Sequence, residues 1–110
     1  MTDNKWTFEF LRTANEKAQG LQFRESIPNN HVLVFEDCKE GDGFHSMNCY
    51  FPFDIIFLDQ HNRVLKSFTM YPPNDLISCP QNTSRVLEAE VGWLDSNKLQ
   101  VGDSIDLGEN

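Results

Sequence analysis

Basic residues are scarce: nine Lys and Arg stand against seventeen Asp and Glu among 110 residues, a formal net charge of −8. Such a field repels phosphate backbones and anionic headgroups, so neither nucleic acid nor a membrane surface is an expected partner. Long apolar runs are missing too. A bilayer span needs about 20 apolar residues, whereas the longest stretch, Tyr50 to Leu58, is broken by Pro52 and Asp54. Met1 to Trp6 offers neither a basic leader nor an apolar segment, so no secretory signal is expected and the cytoplasm is the expected setting. Cysteine is sparse, with three residues at positions 38, 49 and 79 and no C-x-x-C spacing. An odd, scattered set builds no disulfide framework and resembles no common zinc module, which leaves free thiols. There is no internal repeat, low-complexity tract or interdomain linker.

What is present suits one small domain over residues 1–110. The chain is 39% hydrophobic and has nine Phe and two Trp, enough for a core without metal or disulfide support. Trp6, Phe8 and Phe10 alternate with polar neighbours at the two-residue period of a strand. Thr13-Ala14-Asn15-Glu16 matches a capping box and Gly20 suits a helix end, predicting a short helix over residues 14–19. His31 to Phe35 is a short valine-rich strand, and Glu36 to Gly43 a solvated loop. Phe53-Asp54-Ile55-Ile56-Phe57-Leu58 is apolar on both faces, as a central strand would be, and Asp59 to Asn62 should turn a hairpin into Arg63 to Phe68. Residues 71–84, stiffened by prolines, read as a long irregular crossing. Alternation at 86–91 predicts another strand with Glu88 facing outward, followed by one helical turn within Trp93 to Lys98. The expected class is mainly β: an antiparallel sandwich or barrel-like fold of about seven short strands with one or two short helices.

Gly20-Leu21-Gln22-Phe23-Arg24, Asn48 with Pro52-Phe53-Asp54-Ile55-Ile56-Phe57-Leu58-Asp59, Arg85-Val86-Leu87-Glu88, Gly92-Trp93 and Val101-Gly102-Asp103 occur in that order. Together they resemble the family called domain of unknown function 192, whose pattern has G-L-M-F-R, then F-W-M-K-N-T-x-x-P-L-D-I-I-F-x-D, then Y-V-L-E, G-W and G-D. The central block is the specific part. The resemblance implies a mainly antiparallel β-sandwich or barrel-like domain and no established activity. Gln22 stands where the pattern has Met, and His45-Ser46-Met47 where it has Trp-Met-Lys. If those family residues line a ligand site, an aromatic wall and a cation are replaced here.

Asp54 is the most informative charge, because a carboxylate inside so apolar a strand must be paired, hydrogen-bonded or at an edge. Arg24 or the Asn48 amide would serve as partner, and the bland reading, an Asp that fixes a turn or ion pair, stands ahead of a ligand role. Arg24 would anchor an anion at a loop mouth or form an internal salt bridge, and Asn48 would read a polar group or satisfy turn amides. Glu88 is either a solvent-facing carboxylate or a site acid. Cys38, His45 and Cys49 would offer three zinc ligands or a Cys–His pair only if the loop folded back, and inert thiols are the simpler reading. His31 and His61 suggest no mechanism, Gly41-Asp42-Gly43 lacks what a phosphate loop needs, and Trp6, Tyr71 and Trp93 suit packing better than base stacking. No cofactor is implied. The leading expectation is a non-enzymatic accessory module that binds a small molecule or a protein at a shallow site formed by Arg24, His45, Asn48, Asp54 and Glu88. The alternative is a small hydrolase-like or metal-assisted enzyme using Asp54, Glu88 and His45.

Overall fold

A computed structural model describes residues 6–28 and 30–109. The elements run β1 (Thr7–Leu11), α1 (Ala14–Gln19), β2 (His31–Phe35), β3 (Gly43–His45), β4 (Phe53–Leu58), β5 (Val64–Met70), β6 (Leu76–Ser78), β7 (Arg85–Ala89) and α2 (Trp93–Ser96). Five strands form one sheet in the order β1-β2-β7-β4-β5, while β3 and β6 pair as a second, two-stranded sheet. The class is therefore mainly β: the described residues form seven strands in two sheets and two short helices, and among them the sheets do not close into a barrel. One pairing is parallel: β1 runs alongside β2 with Thr7 opposite His31. Parallel neighbours need a crossover connection, and α1 with the turns around it supplies one.

The large sheet is buried on both faces. On one side Leu33, Phe35, Phe53, Ile55, Phe57 and Val86 form a core. On the other, Val34, Ile56, Leu87, Trp93, Ile105 and Leu107 form a second one, in which α2 and the C-terminal segment act as the cover. This double cover explains why Phe53 to Leu58 is buried at every position. It also corrects the expectation for Glu88: Val86 to Ala89 are all buried, so the apolar-polar alternation there does not place the carboxyl in solvent. The long crossing likewise carries a short strand, β6, which pairs with β3 through His45 opposite Leu76.

The predicted capping box is formed. The Glu16 amide donates to Thr13 Oγ1 at 3.1 Å, and the Thr13 amide donates to Glu16 Oε1 at 2.9 Å. Helix α1 has no buried residue, so it lacks the apolar face that normally holds a short helix in place. Its cap matters more in consequence. Thr13→Ala should cost about 1 kcal/mol locally, seen as about fivefold faster amide exchange at Lys17 and Gly20 with little change in global unfolding. Unchanged exchange at those two amides would show that the cap does not hold α1.

Candidate functional site

A cavity of about 310 Å³ opens between α1, the turn that follows it, β3 and one face of the large sheet. Lys17, Ala18 and Gly20 line it from the helix side, Phe44 and His45 from β3, and Phe35 and Glu88 from the sheet. Phe35 and Phe44 meet edge to face, with ring centroids 5.0 Å apart. Gly20 lets the chain pass close above this floor. A Cβ there would lie 3.1 Å from the Phe35 ring and 3.6 Å from Glu88 Oε1, and the residue's φ of +48° disfavours any side chain.

Glu88 is the chemical centre of the cavity. It is 4% exposed, and no hydrogen bond to its carboxyl is formed among the described residues. Burial pushes its pKa from 4.5 up to about 8, only weakly opposed by the charge of Arg24. At neutral pH the group is therefore a protonated acid, able to donate a hydrogen bond into the cavity. His45 stands at the rim, where the Met47 amide donates to its Nδ1 at 3.1 Å, so the neutral ring carries its proton on Nε2. Cys38 and Cys49 also line the cavity, and burial holds both thiols up at about 11. They are poor nucleophiles at neutral pH.

The five residues singled out from the sequence divide between places. Glu88 and His45 share this cavity. Asn48 stands beside it in a left-handed turn with φ 60°, where its side-chain amide donates to Gln22 Oε1 at 3.0 Å and its carbonyl accepts from the Phe23 amide. Arg24 is engaged elsewhere: its two terminal nitrogens donate to the two carboxylate oxygens of Glu9 at 3.1 and 2.9 Å, and His31 Nε2 lies 2.7 Å from the same carboxylate. The Arg24 hydrogen bonds, helped by His31 and outweighing burial, hold the Glu9 carboxyl down at about 2.

Asp54 lies on the opposite side of the sheet. Ile55 pairs with Glu88 and Asp54 with Ala89, and directly opposed residues share a face, so the two acids point away from each other. The partners of Asp54 are neither Arg24 nor Asn48. Thr69 Oγ1 donates to Oδ1 at 2.6 Å, and the Gly92 amide donates to Oδ2 at 2.8 Å. Gly92 adopts φ 86°, the left-handed geometry that starts α2, so the carboxylate ties strands β4 and β5 to the turn that presents Trp93. Both oxygens are occupied, which is the bonding of a structural anchor. His45 forms no hydrogen bond with Asp54, Glu88 or Cys49 among the described residues, and no three metal-ligating side chains come together there.

Sequence reasoning passed over Gly20, Phe35 and Phe44 as parts of a site. The available signal was Glu88 itself, a lone acid between Val86, Leu87 and Ala89.

The family model for domain of unknown function 192 (DUF192, "Uncharacterized ACR") matches residues 1–107. A protein of unknown function from Novosphingobium aromaticivorans DSM 12444 is similar in structure, with a TM-score of 0.82 and 26% identity over 92% of this chain and 74% of that one. A protein from Sinorhizobium meliloti 1021 that carries a provisional transcription-regulator name also superposes with a TM-score of 0.82. It is 20% identical over 92% of this chain and 81% of that one, a likeness of fold alone. No curated protein matches the chain. No helix among the described residues is long and apolar enough to cross a membrane.

Two stability measurements separate the acids. Asp54→Asn, with no ligand present, should lose about 1–3 kcal/mol because a carboxylate that accepts two hydrogen bonds becomes an amide that cannot accept both. A variant as stable as the parent in urea would remove the anchor role. The folded chain keeps a proton on Glu88 that the unfolded chain, with its carboxyl near 4.5, releases, so stability falls as pH rises from about 4.5 to about 8. Glu88→Gln should flatten that part of the profile when unfolding is compared at about pH 5, 6.5 and 8. An equal slope in parent and variant would place the proton elsewhere.

Proposed function

The chain belongs to the domain of unknown function 192 family, and within it we propose a non-enzymatic accessory module that binds a small molecule in the Glu88 cavity. The observation that carries this reading is a buried carboxyl with no hydrogen bond from the described residues, at the floor of a solvent-open cavity. Burying such a group without a partner is costly, and folds retain the cost mainly where a ligand or a chemical step uses it. At about 310 Å³ the cavity has room for a ligand of a few heavy atoms to a small metabolite. Aromatic walls with one fixed polar group at depth form the usual recipe for orienting such a ligand.

A binding role is favoured over catalysis because Asp54 lies on the other face of the sheet from Glu88 and His45, no hydrogen bond links those two among the described residues, and the thiols beside Glu88 stay protonated at neutral pH. Three buried free thiols suit a reducing, cytoplasmic setting, and the net charge of −8 argues for partners other than nucleic acid or anionic lipid.

The test uses three solutes that share a four-carbon chain and differ in charge: butanol, butylammonium and butyrate. At least one should shift the amide resonances of Gly20, Phe35 and Cys49. Ala18→Trp, at an exposed position on the cavity wall, should cancel the shift while leaving the unfolding midpoint within about 3 °C. Three silent solutes, or a shift that survives Ala18→Trp, would overturn the reading.

A further inference from the structure

The charges around Glu88 narrow what the cavity accepts. Arg24 is the cation that acts on the carboxyl, yet both of its terminal nitrogens are committed to Glu9. Lys17 lines the cavity from α1, but its Nζ donates to the Glu36 carbonyl at 3.0 Å. From the loop side and β3 come Asp42, the protonated thiols of Cys38 and Cys49, and His45. Strands β2 and β4 set only Leu33 and Ile55 opposite Glu88. No neighbouring element gives the acid a committed positive charge or a hydrogen-bond donor among the described residues.

We propose that the cavity takes a small organic cation, an alkylammonium, whose charged end pairs with the Glu88 carboxylate while its carbon chain lies against Phe35 and Phe44. This rests on the small-molecule reading above and deepens it. With Arg24 and Lys17 engaged elsewhere, an ammonium brings an uncommitted positive charge together with three N–H donors to a carboxyl that takes no hydrogen bond from the described residues. Aromatic walls favour a cation at their faces over an anion. The net charge of −8 draws cations toward the molecule and turns anions away, and Asp42 adds a negative group to the lining.

Binding moves one proton. The ligand arrives as the ammonium ion, Glu88 gives its proton to solvent, and the ion pair replaces a neutral acid. No covalent bond forms or breaks in the ligand. Affinity for a cation therefore climbs by about tenfold per pH unit up to the carboxyl's pKa of about 8. It levels off above that value and declines once the ammonium itself deprotonates, near pH 10 to 11 for an alkyl amine like the lysine side chain.

Calorimetric titration with butylammonium, butanol and butyrate at about pH 6, 7 and 8.5 tests this. Expected are binding of butylammonium in preference to the other two, about tenfold tightening from pH 6 to 7, and release of a proton, seen as a heat that varies with the buffer's ionisation enthalpy. Glu88→Gln, which keeps the shape and removes the titrating group, should weaken butylammonium at least about tenfold. Butanol or butyrate binding at least as tightly as butylammonium, or a pH-independent butylammonium affinity in the parent protein, would overturn the cation while leaving the cavity a binding site. Silence of all three solutes would overturn both proposals. The pH profile of the parent protein decides the matter even if Glu88→Gln folds poorly.

Discussion

The fold depends on β7 lying between β2 and β4 with both of its faces covered. A strand in that position has its backbone hydrogen bonds taken on both edges and its side chains enclosed above and below. Four of its five residues, Val86 to Ala89, are accordingly buried. A polar side chain at such a position must be satisfied by the fold or left over for something else. Among the described residues two acids are buried, Asp54 and Glu88, one on each face of the central strands.

Asp54 is the satisfied one. Thr69 on the neighbouring strand and the Gly92 amide occupy its two oxygens, so its burial fastens α2 and Trp93 onto the sheet. Glu88 takes no hydrogen bond from the described residues and opens onto the cavity instead, and its surroundings are loose where those of Asp54 are tight. Helix α1 crosses above it without burying a single residue, held instead by the Thr13–Glu16 box and by Lys17 reaching the Glu36 carbonyl. A helix that bridges a sheet without filling the space beneath leaves a cavity. The weak packing of α1 and the presence of the Glu88 site are thus one structural fact seen from two sides.

Much of this architecture can be read from local chemistry. The capping box places α1 at its observed bounds, the apolar residues on both faces of 53–58 mark a doubly covered strand, and the polar residues 59–62 mark the hairpin into β5. The pieces that escape are those decided at long range. Alternation at 86–91 looks like a one-sided strand because Glu88 and Glu90 carry the polar phase, but only the tertiary cover decides whether that phase meets water. The parallel β1–β2 pair arises from the crossover through α1, and β6 exists because β3 is there to pair with it. For the site, sequence separates Asp54 from Glu88 by 34 positions and gives no sign that pairing with Ile55 and Ala89 sends the two acids to opposite faces. The partners of Asp54, a threonine and a glycine amide, carry no charge signature to betray them.

The strand order also bears on how the chain acquires its shape as it leaves the ribosome. Strands β2 and β4, among the most apolar segments, are not neighbours; the strand that joins them spans residues 85–89. Until that stretch emerges, β4 can zip only to β5 and β2 only to β1, leaving two half-sheets with greasy open edges. Completion of the centre is therefore a late event in vectorial synthesis, and the nascent intermediate is the form most exposed to wrong pairing with another chain.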